Sequence, residues 1–171
     1  MVLPCAAMPY PPPRELLDYL AFFDESVERL ALATRLFVLQ QMVPCVESIV
    51  DATNAVALGY GPTDRLKEMV CHVAVYSAHV NIGLNHGTEL DNSSGLLEGT
   101  GNLIRHISIR TAADLKNPAL RKVLGEAYKL AGMKETTGKL KGLTTVIKKP
   151  YPRKRRPYPV ARPLAKATSA H

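Results

Sequence analysis

Residues 69–110, MVCHVAVYSAHVNIGLNHGTELDNSSGLLEGTGNLIRHISIR, constrain the fold more than any other stretch of the chain. Three segments within it, 70–76, 80–84 and 106–110, alternate with a period of two. Val73, Val75, Val80, Ile82, Leu84, Ile107 and Ile109 fall on one side. His72, Ala74, Tyr76, Asn81, Gly83, Asn85, His106 and Ser108 fall on the other. Successive strand residues point to opposite faces, so the pattern predicts a sheet with one buried apolar face and one open polar face. A function belongs on the open face.

The flanking segments complete the architecture. Leu16, Leu17, Leu20 and Phe23 stand at helical spacing, and Asp24, Glu25 and Ser26 then supply caps for a second helix over about 26–42. That helix is apolar on more than one face and ends before Pro44. Residues 46–50 and 55–60 read as a hairpin turning at 51–54. In its second strand Val56, Leu58 and Tyr60 alternate with Ala55, Ala57 and Gly59. An open face floored by such small residues leaves room for a ligand or for another element packed closely against it. The polar segment 85–102 is long for a structureless loop and is expected to be functional or to hold a short helical turn. Thr111 and Asp114 have capping-box spacing, and Asn117–Pro118 supplies an N-cap and an N1 proline. Leu120, Val123, Leu124, Ala127 and Ala131 line one face of a last helix that stops at Gly132. The order α-α-β-β-β-β-β-α predicts an α+β fold, a mostly antiparallel five-stranded sheet with helices packed on one face.

Charge divides the chain. Residues 1–133 carry 11 Lys and Arg against 14 Asp and Glu, whereas 134–171 carry 11 against one. The net +7 is therefore a property of the C-terminal stretch, and the body is mildly acidic. Prolines interrupt that stretch throughout, so 134–171 is expected to be a disordered basic tail. Residues 1–13 are expected to be a flexible Pro-rich N-terminus and 14–133 the folded domain. Lys148, Lys149, Arg153, Lys154, Arg155 and Arg156, with Tyr151 and Tyr158 between and beyond them, suit weak contact with nucleic acid. The cysteines, Cys5, Cys45 and Cys71, are odd in number and lack CxxC spacing, which argues for a reduced, cytoplasmic protein. The opening MVLPCAAMPYPPP lacks a basic n-region and a long apolar h-region, so a signal peptide is not expected there, and no apolar run is long enough to span a bilayer.

The segments Asn54–Pro62, Val73–Tyr76, His79–Leu84, Gly95–Gly101, Arg105–His106, Ala113–Leu115 and Asn117–Leu120 together resemble the YdhG-like family, a bacterial domain of unknown function. The resemblance spans roughly 14–132. It implies a small α+β domain with a largely antiparallel sheet, and no defined activity. One branch of that family is described as a frataxin-like iron chaperone, so a metal-chaperone function is implied as an alternative. Many relatives carry Lys after the Gly-Thr-Gly, where this chain has Asn102.

No catalytic constellation is present. Cys71 and His72 are adjacent in a strand and point to opposite faces, and no serine lies in a G-x-S-x-G context. An enzyme is therefore not expected, and no cofactor is indicated. His72, His79, His86 and His106 fall in the sheet region, but without a His-x-x-x-His spacing or neighbouring strand carboxylates no metal site is assigned. The expected function is a small-ligand-binding or accessory module with its site on the open sheet face. Asn54, His72, Tyr76, Asn81 and His106 would line it, with Arg105 and the Gly99–Thr100–Gly101 loop at the rim. A fixed cation and glycine-rich backbone there suit a small polar or anionic ligand. The basic tail gives a second alternative, a nucleic-acid-associated protein.

Overall fold

The computed structural model describes residues 9–136 and 140–152. Helices α1 (Arg14–Leu20) and α2 (Glu25–Met42) lead into strands β1 (Cys45–Asp51), β2 (Val56–Gly61), β3 (Cys71–Val75), β4 (Val80–Leu84) and β5 (Arg105–Ile109). Helices α3 (Pro118–Leu130) and α4 (Met133–Thr136) follow, and then a strand β6 (Leu143–Ile147). The fold is α+β, with sheet order β5-β4-β3-β2-β1-β6. The five expected strands pair antiparallel, each with its neighbour in the chain. The sixth strand pairs parallel to β1, which makes the sheet six-stranded and mixed.

That strand corrects the expectation of a structureless tail from residue 134. Leu143–Ile147 is a short run rich in β-branched residues and holds the edge of the sheet beside β1. Residues 148–151 follow on, with the Lys148 amide bonded to Ile49 O and the Tyr151 amide to Asp51 O. Arg153, Lys154, Arg155 and Arg156 lie outside the described residues, as does most of the flexible N-terminus expected at 1–13.

Local chemistry accounts for the elements. Asn117 caps α3 by accepting a hydrogen bond from the Ala119 amide at 3.0 Å, with Pro118 in the first turn. Asp114 accepts from the amides of Arg110 and Thr111, which closes the turn after β5. The 85–102 segment holds a 3-10 turn at Gly87–Glu89 and is tied by Asn92, whose side chain bonds both the amide and the carbonyl of Leu97. The expected side-chain cap of α2 is absent: Asp24 contributes only its carbonyl.

The alternating apolar residues all turn toward the helices. Val56, Leu58, Tyr60, Val73, Val75, Val80, Ile82, Leu84, Ile107 and Ile109 are buried there. α2 packs across β2, β3 and β4, and α3 packs on α2, with the Arg121 guanidinium over the Phe37 ring. Cys45, Glu47 and Ile49 alternate onto this same face, which sends a carboxylate into the core. Arg35 of α2 meets it in a two-pronged ion pair, Nε to Oε1 at 2.8 Å and Nη2 to Oε2 at 2.9 Å. Tyr60 and Thr145 donate their hydroxyls to Glu47, and Arg35 also donates to Tyr10 O. The network thus joins the segment before α1, helix α2, and strands β1, β2 and β6.

Candidate functional site

The strand register brings the polar residues of the other face into two rows. One runs Val146, Ser48, Gly59, His72, Gly83, His106 and, by a bridge beyond β5, Glu98. The next runs Val50, Ala57, Ala74, Asn81 and Ser108. His72, Asn81 and His106 therefore share a face, as the alternation requires.

Half of that face is covered. The segment between β2 and β3 folds back over it, and a Cβ at Gly59 would overlap Met69 Cε. Asp64 of this segment binds Lys148 through its carbonyl and, at 3.4 Å, its carboxylate. Asn85 donates to Leu66 O from the neighbouring strand end. Gly59 thus serves close packing rather than an open floor. Lys148, expected to contact nucleic acid, is engaged as a clasp, while Lys149 is exposed.

The β4–β5 half carries the candidate site. The His72 imidazole lies across Gly83, where any Cβ would collide with the ring. Its Nδ1 is 3.3 Å from Asn85 Oδ1, so Nδ1 carries the hydrogen and Nε2 is left as an acceptor. Burial pushes its pKa down, against a weaker opposing effect of the Asn85 bond, and favours this neutral form. Asn81 stands in the adjacent row, and its Oδ1 is buried with no hydrogen-bond partner. His106 lies at the sheet edge with Nε2 3.8 Å from Glu98 Oε2. Gly99 has φ of +111°, and a Cβ there would stand 3.3 Å from His106 Nδ1. Tyr76 and His79 stack at the far end, with ring centroids 5.0 Å apart. His79 is also pushed down, first by burial and then by Arg110 and His106.

Other expected site residues stand elsewhere. Arg105 pairs with Leu84, so it belongs to the opposite face, and its guanidinium donates to the carbonyls of Gly101 and Ile104. The glycine loop thus offers a carbonyl to a cation instead of amides to an anion. Thr100 is exposed in that loop, and Asn54 is exposed in the turn between β1 and β2. The rim thus holds the Glu98 carboxylate beside His106, and the Arg105 cation expected there is bonded to loop carbonyls instead. Glu98 joins the site only through the bridge that pairs it with His106, whereas Asn85 already shared the polar face with His72 by alternation.

The buried ionisable groups on the helix side are chemically closed. Every polar atom of the Arg35–Glu47 pair has a protein partner. Burial drives the Cys45 thiol up to about 12, assisted by Glu47, and drives Cys71 and Tyr60 upward as well. Such thiols are inert as nucleophiles. Among the described residues, no three His, Cys, Asp or Glu converge as a metal-binding group, and no helix is long and apolar enough to cross a membrane. No family model, no curated protein and no solved structure matches this chain.

Proposed function

We propose that this chain is a non-catalytic binding domain of the YdhG-like type that holds a small, neutral, polar molecule on the β4–β5 half of the sheet. The observation that carries the reading is the unpartnered Asn81 Oδ1. A buried acceptor without a donor costs roughly 1–3 kcal/mol. A cost of that kind at a surface bordered by two imidazoles and a hydroxyl is offset when a ligand brings the donor. His72 Nε2 is a second acceptor on the same face, one row away, while Ser108 and His106 supply hydrogen-bonding groups that suit either role. Neutral amides and polyols match this set better than phosphates or carboxylates, which would meet Glu98. The metal-chaperone alternative has no converging ligand set among the described residues to support it.

Chemical-shift mapping on labelled full-length protein tests the proposal, with acetamide, glycerol and inorganic phosphate as probes. The neutral probes are expected to shift Asn81, His72 and Ser108, and phosphate is not. Phosphate-selective shifts on the same residues would overturn the choice of ligand. Shifts elsewhere only would overturn the site.

A further inference from the structure

A cleft of about 500 Å³ opens where β2 leaves the sheet and β3 enters it, bounded on the far side by the last turn of α3. Val70, Leu90, Ala127 and Leu130 give it apolar walls. Leu130 is 48% exposed at its mouth, and Leu66, next to the lining residue Lys67, is 76% exposed. Its size lies within the roughly 300–1,000 Å³ of small-molecule sites, which combine apolar walls with a few orienting polar groups.

The charges at the mouth decide what it takes. Glu68 accepts from Thr63 at 2.6 Å and from Arg65 at 3.4 Å, and the Thr63 bond is the main cause of its lowered pKa. Glu89 Oε1 is 2.8 Å from His86 Nδ1. Both carboxylates therefore have partners within the protein. At the end of α3 the amides of Ala131 and Gly132 bond back to the carbonyls of Ala127 and Lys129. Lys67 differs: its ammonium makes no hydrogen bond or ion pair among the described residues, and its charge acts on Glu68 only as the last of several causes that lower that carboxyl's pKa. An apolar cavity whose mouth holds a cation without a direct hydrogen bond or ion pair among the described residues is complementary to an amphipathic anion.

We propose that this cleft binds a small apolar monocarboxylate, an alkyl or aryl acid, with its carboxylate on Lys67 and its body between Val70 and Leu90 on one side and Ala127 and Leu130 on the other. The site is separate from the Asn81 surface, and either can fail without the other.

The test titrates sodium octanoate, 1-octylamine and 1-octanol into labelled full-length protein. Octanoate is expected to shift the amides of Val70, Leu90, Ala127 and Ala131. Lys67→Gln should weaken octanoate about threefold, the scale of an exposed ion pair, and leave octanol unchanged. Ala131→Trp, made at an exposed position, should fill the cleft and abolish binding of octanoate and octanol. Octylamine binding as tightly as octanoate, or octanoate indifferent to Lys67→Gln, would overturn the assignment of a carboxylate. No shift at these four amides with millimolar octanoate would overturn the site.

Discussion

Glu47 on β1 and Asn81 on β4 stand on opposite faces of the same sheet. The two oxygens of Glu47 receive four side-chain hydrogen bonds, from Arg35, Tyr60 and Thr145. The buried oxygen of Asn81 receives none. Both positions follow from strand alternation, and both place a polar group where water is scarce. One has been supplied with partners from three elements, α2, β2 and β6, and holds the fold together. The other has been left waiting for a donor. On the proposed reading, the difference separates a structural polar group from a recognition group, and it does so without reference to residue type.

The largest effect expected from breaking this contrast is on the saturated side. Arg35→Ala or Glu47→Ala strands a buried charge, and each should cost about 3–5 kcal/mol in urea denaturation. Replacing both with Met should cost distinctly less than either single change, because no unpaired charge then remains. Equal losses in all three variants would mean that the pair acts through packing alone.

Removing residues 143–171 should have the next largest effect. It deletes β6, leaves Glu47 without the Thr145 hydroxyl, and unclasps Asp64 from Lys148. A loss of about 2 kcal/mol, or roughly 5 °C or more in melting temperature, is expected by differential scanning calorimetry. An unchanged melting temperature would show that β6 contributes nothing, as a separable tail would.

A smaller effect is expected from pH. His72 is held below its ordinary 6.5 by burial, so the unfolded chain takes up a proton where the folded protein resists it. Stability should therefore be full above 6.5 and fall as the pH drops from there toward the folded value. His79, also lowered, adds to the slope in the same direction. His72→Gln should flatten part of this dependence in urea titrations at successive pH values. A neutral-ligand site using His72 Nε2 should lose affinity over the same acid range. Affinity rising on acidification would restore the anionic ligand.

Much of this fold was legible because local signals and tertiary structure agree. Period-two alternation placed four strands, β2 to β5, and their faces, the hairpin reading added β1, and Asn117–Pro118 placed the start of α3. The candidate site was legible in part for the same reason: His72, Asn81 and His106 share a face by alternation alone. Arg105 shows the limit of that reasoning, since the same alternation that puts His106 on the open face puts its neighbour on the other. The charge of Glu47 hid a signal of the same kind, because it shares its side of β1 with Cys45 and Ile49. Strand β6 was obscured by the prolines and lysines that follow it, and a parallel edge strand announces neither a hairpin turn nor a buried run. The return of residues 62–69 over β2 has no local signature. It depends on Met69 meeting Gly59 and Asp64 meeting Lys148, contacts that exist only once the sheet is formed.

The smallest stability effect belongs to the position on which the proposed function rests. Asn81→Leu removes an acceptor that gains nothing from the fold, so the variant should match or slightly exceed the parent in stability, within about 0.5–1 kcal/mol. Measured together, its urea midpoint and its acetamide-induced chemical shifts test the central claim directly. The account predicts a retained or raised midpoint with loss of the shifts at His72 and Ser108. A lowered midpoint corresponding to a loss of about 2 kcal/mol of stability, the cost of losing a structural hydrogen bond, with the acetamide shifts intact, would contradict it.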